Sequence, residues 1–161
     1  MATSDRNQSS VNFENSSNYE NFTVGLVVSD WNPDITGNLS QGALDFFHKA
    51  GISKIHRVNV PGSFELPLAA QFLFTNKPEL DGIIVIGNVV QGETKHFDFV
   101  CQGLTQGVMD VMLKFNKPVS FCVLTDMNKQ QSLDRSGGKY GNKGSECALA
   151  LLQMIQLQKQ L

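Results

Sequence analysis

Four short apolar segments recur along the chain, with longer amphipathic segments between them. The apolar segments are residues 23–28, 55–60, 82–90 and 119–124. Each has the length of a β-strand, and the continuous run TVGLVV at 23–28 is typical of a strand buried on both faces. The pattern therefore predicts four strands that lie inside the protein.

The intervening segments have the spacing of amphipathic helices. In residues 38–50 the positions Leu39, Ala43 and Phe47 form one stripe, and Gly51 is a suitable helix stop. Further helices are predicted from Ser63, with this serine as N-cap, over residues 97–115, over about 128–135 and from about Ser145 onward. Strands that alternate with helices imply right-handed βαβ units, so the fold class is α/β with a four-stranded parallel sheet.

The first 20 residues differ from the rest of the chain. They are rich in serine and asparagine and show no periodicity. Two interpretations are open: a mobile tail, or an arm that lies on a neighbouring subunit with Val11 and Phe13 as anchors. The remaining residues, 21–161, have the length of one domain.

Composition narrows the possible partners and compartments. The net charge of -2 shows no electrostatic footprint for nucleic acid, and no apolar run reaches membrane-spanning length. The N-terminus does not resemble a secretory signal. Three widely spaced cysteines, Cys101, Cys122 and Cys147, lack metal-ligand spacing and suggest reduced thiols. We expect a cytoplasmic protein without nucleic-acid or membrane partners.

Ligands of open α/β sheets bind beyond the carboxyl ends of the strands, so the residues that follow each strand are the candidates. After the first strand comes Trp31, which either stacks on a ligand or closes the core. After the second, the backbone of Ser63–Glu65 opens a helix and can bind polar ligand atoms. Glu65 is equally explained by the preference of helix starts for acidic residues.

The third strand leads into QGETKH, residues 91–96. Gly92 allows close approach of a ligand, Thr94 and nearby N–H groups suit an anion, and His96 titrates near neutrality. The alternative is that Thr94 only caps a helix and His96 is only exposed. Arg135 suits a phosphate but is also ordinary at a helix end. The absence of G-x-G-x-x-G and P-loop motifs disfavours an ordinary dinucleotide site.

Five segments in combination resemble the lumazine synthase family of riboflavin biosynthesis. They occur in the family's order across residues 22–161, and they are VVSDWNPDIT (27–36), VNVPGSFELPLAA (58–70), GNVVQGETKHFDFV (87–100), VSFCVLT (119–125) and LDRSGGKYGNKGSECALALLQM (133–154). The resemblance implies a flavodoxin-like three-layer αβα sandwich.

The resemblance also implies a transferase activity. 5-Amino-6-(D-ribitylamino)uracil would condense with 3,4-dihydroxy-2-butanone 4-phosphate to 6,7-dimethyl-8-ribityllumazine, phosphate and water. The steps would be imine formation, phosphate elimination, ring closure and dehydration. No cofactor and no metal would take part.

The resemblance further implies a role for each matching residue. His96 would transfer protons, Trp31 would stack on the pyrimidinedione, and Gly92, Glu93 and Thr94 would cradle the phosphate. Ser63, Phe64 and Glu65 would hold the ribityl chain, and the adjoining strand residues Asn88, Val89 and Val90 would also bind substrate. A neighbouring subunit would complete the site with Phe121, Arg135 and Lys143.

Some positions depart from the pattern of the family. Gln91 stands where a basic residue is common, Asn88 where a small residue is usual, and Asp126-Met127 replaces a more common threonine-containing pair. Gln91 thus removes a positive charge beside the phosphate loop.

Assembly is a further implication of the resemblance. Family members form pentamers, decamers or sixty-subunit icosahedral shells, and the short link SGGKYGNKG favours the shell. Contact with riboflavin synthase is left open. The rival functions are a flavodoxin-like flavin-binding module and a non-catalytic shell protein.

Overall fold

A parallel sheet of four strands, in the order β2-β1-β3-β4, forms the middle layer of the protein. In the computed structural model, which describes residues 19–161, the strands are β1 (Thr23–Ser29), β2 (Lys54–Val60), β3 (Gly82–Val90) and β4 (Val119–Asp126). The four predicted strands and their parallel arrangement are confirmed.

Within residues 19–161, five α-helices cover the two faces of the sheet. They are α1 (Pro33–Lys49), α2 (Leu66–Asn76), α3 (His96–Phe115), α4 (Lys129–Arg135) and α5 (Lys143–Gln160). Helices α1 and α5 pack on one face, and α2 and α3 pack on the other. This is the three-layer αβα sandwich of flavodoxin-like proteins, as predicted.

Alternation of side chains along the strands divides the core into two halves. In β3, Ile84 and Ile86 pack towards α1 and α5, whereas Ile83 and Val85 pack towards α2 and α3. Both sets are fully buried because successive strand residues point to opposite faces. The near-continuous apolar sequence of β3 is therefore a consequence of helices on both sides.

The starts of α1 and α2 differ from the sequence predictions. Helix α1 begins at Pro33 rather than at residue 38, because Asn32 adopts a left-handed conformation and proline is favourable in a first helical turn. The prediction of Ser63 as an N-cap is wrong. Ser63 lies in a short 3-10 turn, Ser63–Glu65, before α2, and its hydroxyl donates to Asn88 O.

The glycine-rich link between α4 and α5 is ordered by local hydrogen bonds. It forms a small antiparallel ribbon, β5 (Ser136–Gly138) and β6 (Gly141–Asn142). The amide of Asn142 accepts from Gly144 N and donates to Asn38 O, at 2.8 Å in both cases. This N-cap explains why α5 starts at Lys143, two residues before the predicted position.

The packed core reaches back to Tyr19, two residues before the predicted domain start at residue 21. Its ring meets Phe22 edge-on at 5.6 Å, and its hydroxyl donates to Gln156 Oε1. The predictions for the preceding segment, including Val11 and Phe13, lie outside the described residues. In residues 19–161, none of the helices combines the length and apolarity that a membrane crossing requires.

Candidate active site

The carboxyl ends of the four strands lie along one edge of the sheet and set the position of the candidate site. Asp30 N donates to Val60 O at 2.8 Å, and Gln91 N donates to Asp126 O at 2.9 Å. These bonds extend the strand pairing by one step, so the chain leaves β1, β2, β3 and β4 side by side. The loops that carry the candidate residues therefore meet at this edge.

Trp31 lies in the turn between β1 and α1 with 67% of its surface exposed. The buried Ser29 hydroxyl accepts from Trp31 N at 3.2 Å, and Asn32 next to it is left-handed, with φ 56°. Asparagine tolerates that conformation better than most residues. An indole so exposed does not close the core, and its face is available for stacking.

The turn after β2 presents Phe64 and Glu65 while it buries Ser63. Phe64 is 58% exposed, and its ring edge lies over Gly103 of α3, where a Cβ atom would be only 2.8 Å from the ring. The Glu65 carboxylate turns back towards Gly62. An exposed aromatic ring and an exposed carboxylate thus stand beside the loop of Trp31.

The loop between β3 and α3 carries the other candidates. Gly92, Glu93, Thr94 and His96 are all exposed. Thr94 Oγ1 accepts from His96 N at 3.3 Å, which places the hydroxyl at the positive end of a 20-residue helix. A helix start with a glycine and a hydroxyl can bind an anion, and an imidazole there can exchange protons with a ligand.

Gln91 has a structural contact in this loop. Its side-chain amide donates to Gly92 O at 2.9 Å. The residue therefore contributes to the shape of the loop and supplies no charge to it. Val89 and Val90, the last residues of β3, are half-buried immediately before it.

Phe121 and Lys143 lie apart from these loops. Phe121 is in β4, and Lys143 is the first residue of α5. Lys143 Nζ contacts both oxygens of Glu146 at 2.8 and 2.9 Å, and the lysine side chain is only 15% exposed. Glu146 thus compensates the ammonium charge within the chain. In residues 19–161, no hydrogen bond or ion pair joins Phe121 or Lys143 to Trp31 or His96.

Two neighbouring thiols, Cys122 and Cys147, lie on the α1–α5 side of β4. Cys147 Sγ donates to Phe121 O at 3.7 Å. A hydrogen bond from Cys122 lowers the pKa of the Cys147 thiol, and the same bond, together with burial, raises the pKa of Cys122. Both thiols are free.

Arg135, at the end of α4, is held by three contacts. Its Nη1 donates to Gln131 O at 2.9 Å and lies 3.9 Å from Asp126 Oδ1, and the guanidinium lies 5.2 Å from the centre of the Tyr140 ring. Only a quarter of the side chain, 24%, is exposed. The guanidinium is therefore partly ordered before any ligand binds.

A buried polar network runs beneath the site and was not predicted from the sequence. Asn88, 1% exposed, accepts from Asn32 Nδ2 at 2.7 Å and donates to Ser132 Oγ at 2.9 Å. Ser132 donates to Asp126 Oδ2 at 2.8 Å. Because Asp126 ends a strand, the sequence could have indicated it as a candidate site residue. Ser132 lies in a seven-residue helix, and nothing in its sequence position indicates such a role.

The side chain of Asn88 therefore supports the site from behind. Its amide oxygen and nitrogen are both engaged within the chain, and its backbone oxygen accepts from Ser63. In the described part of the chain, no group of three or more histidine, cysteine, aspartate or glutamate side chains is arranged to hold a metal ion.

Comparison with known proteins identifies the family. Residues 21–159 match the family described as 6,7-dimethyl-8-ribityllumazine synthase. Proteins of that name from Christiangramia forsetii, Cytophaga hutchinsonii and Flavobacterium johnsoniae are similar to this chain. The C. forsetii protein is 50% identical over 99% of this chain and 96% of its own length. The C. hutchinsonii protein is 49% identical over 96% of this chain and 98% of its own length. The F. johnsoniae protein is 48% identical over 99% of this chain and 85% of its own length. The chain therefore belongs to the 6,7-dimethyl-8-ribityllumazine synthase family.

Proposed function

We propose that this protein is a transferase that condenses 5-amino-6-(D-ribitylamino)uracil with 3,4-dihydroxy-2-butanone 4-phosphate. The products are 6,7-dimethyl-8-ribityllumazine, phosphate and water. The observation that carries the proposal is the loop from Gly92 to His96, which combines an anion-binding helix start with an exposed imidazole in a chain of this family. A non-catalytic shell protein has no need of that combination.

Exposed groups at the ends of β1 and β2 would bind the pyrimidine substrate. Trp31 stacks on the pyrimidinedione ring, and the Ser63–Glu65 turn with Phe64 holds the ribityl chain. Exposure of the indole and of the Glu65 carboxylate supports these roles, because both groups are free to meet a ligand. The half-buried Val89 and Val90, at the end of β3, form a wall of the same pocket.

The phosphate substrate would bind at the start of α3. The backbone from Gly92 to Thr94 cradles its phosphate, and Arg135 of a neighbouring subunit adds a second positive group. His96 then moves protons during imine formation and phosphate release. Most of the rate would come from holding two substrates together, which is worth up to roughly 7–11 kcal/mol in ideal cases.

A neighbouring subunit would complete each site. Phe121 and Lys143 lie apart from the loops of their own chain, so a second chain must bring copies of them if they contact substrate. Lys143 is bound by Glu146 and would act as part of an ion pair. The assembly would be built from pentamers, as a sixty-subunit shell, and riboflavin synthase is a candidate partner for it.

The proposed compartment is the cytoplasm. Its support is the free state of all three cysteines, since thiols persist in a reducing environment.

An absorbance assay tests the proposed function. Purified protein is incubated with both substrates, and the lumazine chromophore is followed with time. We expect its appearance to require both substrates and the protein. A yellow protein that retains stoichiometric flavin mononucleotide and forms no lumazine would instead identify a flavin-binding module. Loss of the rate in a Trp31→Ala, His96→Ala double variant with unchanged assembly would assign the activity to this site.

A further inference from the structure

The buried polar network ends on the one guanidinium that the proposed function uses. Starting from the loop of Trp31, each member donates to the next: Asn32 to Asn88, Asn88 to Ser132, and Ser132 to Asp126. The last acceptor is a carboxylate, and its other oxygen faces Arg135. The four steps connect the turn after β1 with the ends of β3 and β4 and with α4.

The network leaves little freedom to the Asp126 carboxylate. Asn88, Ser132 and Asp126 are all buried, and the two side-chain hydrogen bonds that lead to the carboxylate are 2.9 and 2.8 Å long. Asn88 Nδ2 is also 3.5 Å from Leu124 O. Buried polar groups with every partner present are held in one arrangement, since each alternative would leave a group unsatisfied.

Asp126 in turn limits the orientation of Arg135. Its Oδ1 is 3.9 Å from Nη1 of the arginine, which also donates to Gln131 O and lies over the Tyr140 ring. A guanidinium has five N–H donors in a planar fork. The contacts at Nη1 and at the ring face orient that fork and leave the other donors available for a phosphate.

We propose that Asp126, itself held by Asn88 and Ser132, is a positioning residue that orients Arg135 for the phosphate of the second substrate. The inference rests on the proposed function, in which Arg135 binds that phosphate. Asp126 contacts no substrate and acts through the arginine.

The carboxylate at position 126 makes two contacts of different kinds, a hydrogen bond with Ser132 and a longer ion pair with Arg135. One oxygen accepts from Ser132 at 2.8 Å and the other faces Arg135. An amide of the same shape has a single acceptor oxygen, so Asp126→Asn must give up one of the two contacts. The same change removes a negative charge beside Arg135, which by Coulomb attraction alone would strengthen phosphate binding. The two effects have opposite signs.

The test measures KM for each substrate and the inhibition constant of inorganic phosphate, with the assembled full-length protein. For Asp126→Asn we expect the KM of the butanone phosphate and the inhibition constant of phosphate to rise three- to tenfold. The KM of the pyrimidine should change less than twofold. Asp134→Asn is the control, because it also removes one negative charge. Asp134 is next to Arg135 in sequence, and its carboxylate accepts a hydrogen bond from Gln130. It should change neither KM.

A combined variant tests whether Asp126 acts through the arginine. Arg135→Ala should raise the KM of the butanone phosphate, and adding Asp126→Asn to it should raise that KM no further. Independent, multiplying effects of the two changes would overturn the inference. If Asp126→Asn lowers thermal stability or assembly, Ser132→Ala replaces it, because it keeps the charge pair and removes only the support at 2.8 Å. A smaller rise in the same KM is then expected.

The outcomes separate this inference from the proposed function. Suppose that lumazine forms and that Arg135→Ala raises the KM of the butanone phosphate. If Asp126→Asn then leaves that KM unchanged or lowers it, only the positioning role is overturned. An unchanged phosphate KM in Arg135→Ala would overturn both that role and the assignment of Arg135. Absence of lumazine formation by the unmodified protein would refute the proposed function itself.

Discussion

Single residues at the candidate site divide into exposed groups that can meet a ligand and buried groups that hold them. Trp31, Phe64 and His96 are exposed, whereas Ser29 and Asn88 behind them are almost completely buried. Each buried residue forms a hydrogen bond to one of the turns that carry the exposed groups. Rigid support of this kind favours catalysis, because misplaced groups lose much of the benefit of proximity.

We expect His96→Ala to reduce kcat substantially and to leave measurable activity. A general acid or base typically contributes about 10²–10⁴-fold, while the two substrates would still be held together. The exposed imidazole is not part of the core, so folding should be unaffected. Steady-state rates of lumazine formation check the prediction. Complete loss of activity in a normally assembled variant would contradict it.

We expect Gly92→Ala to weaken phosphate-substrate binding without affecting the fold. A Cβ atom at this position would meet no protein atom within 4 Å, so the space beside the glycine is open. If the substrate phosphate occupies that space, the added methyl group should raise the KM of the butanone phosphate about tenfold or more. A tenfold change corresponds to roughly 1.4 kcal/mol of binding free energy. Equal melting temperatures of the two proteins serve as the control. An unchanged KM would show that the phosphate binds elsewhere.

Among the elements, the contact between α1 and α5 depends on a glycine. At Gly144, in the first turn of α5, an added Cβ atom would collide with the backbone oxygen of Leu39 in α1. Gly42 faces the side chain of Asn142 in a similarly close contact. The close approach places the N-cap of α5 within hydrogen-bond distance of α1, at Asn38 O. The glycine-rich link is thereby tied to the helix layer.

We expect Gly144→Ala to destabilise the protein by about 1–3 kcal/mol or more, because the obstacle is backbone rather than a flexible side chain. Gly37→Ala is the matched control. Gly37 lies in α1 with open space around it, so alanine there should be neutral or stabilising by about 0.5–1 kcal/mol. Thermal and urea unfolding of both variants measure the difference. Equal stability of the two variants would disprove the role of close packing.

On the scale of the whole molecule, one chain presents two separate sets of candidate residues. The loops at the ends of β1, β2 and β3 carry the first set. The second set consists of Phe121, Arg135 and Lys143. The buried network extends from the first set to Arg135. A division of this kind is expected of a site that neighbouring subunits share.

We expect the protein in solution to be a shell of sixty chains. The ordered link Ser136–Asn142 is short and tied to α1, without the insertion that we associate with free pentamers. Light scattering coupled to size exclusion measures the mass. A particle of five chains would contradict the shell and leave the shared site intact, whereas an active monomer would contradict both.

The α/β class, the four strands and the loops that carry candidate chemistry were all predictable from the amino-acid sequence. This was possible because periodicity reports burial, and because the carboxyl ends of parallel strands always share an edge. The helix stop at Gly51, with φ 82°, was equally local, since few other residues adopt that conformation. Each of these features depends on a few consecutive residues.

Which polar residues support the site through hydrogen bonds depends on the tertiary structure alone. Nothing local predicts that Asn88, Ser132 and Asp126 meet, because 44 positions separate Asn88 from Ser132 along the chain. The hydroxyl of Ser63, with the sequence features of an N-cap, donates instead to a strand 25 residues away. A polar side chain takes the partner that the packed fold brings within reach, and the cost of an unsatisfied buried group then makes that choice unique.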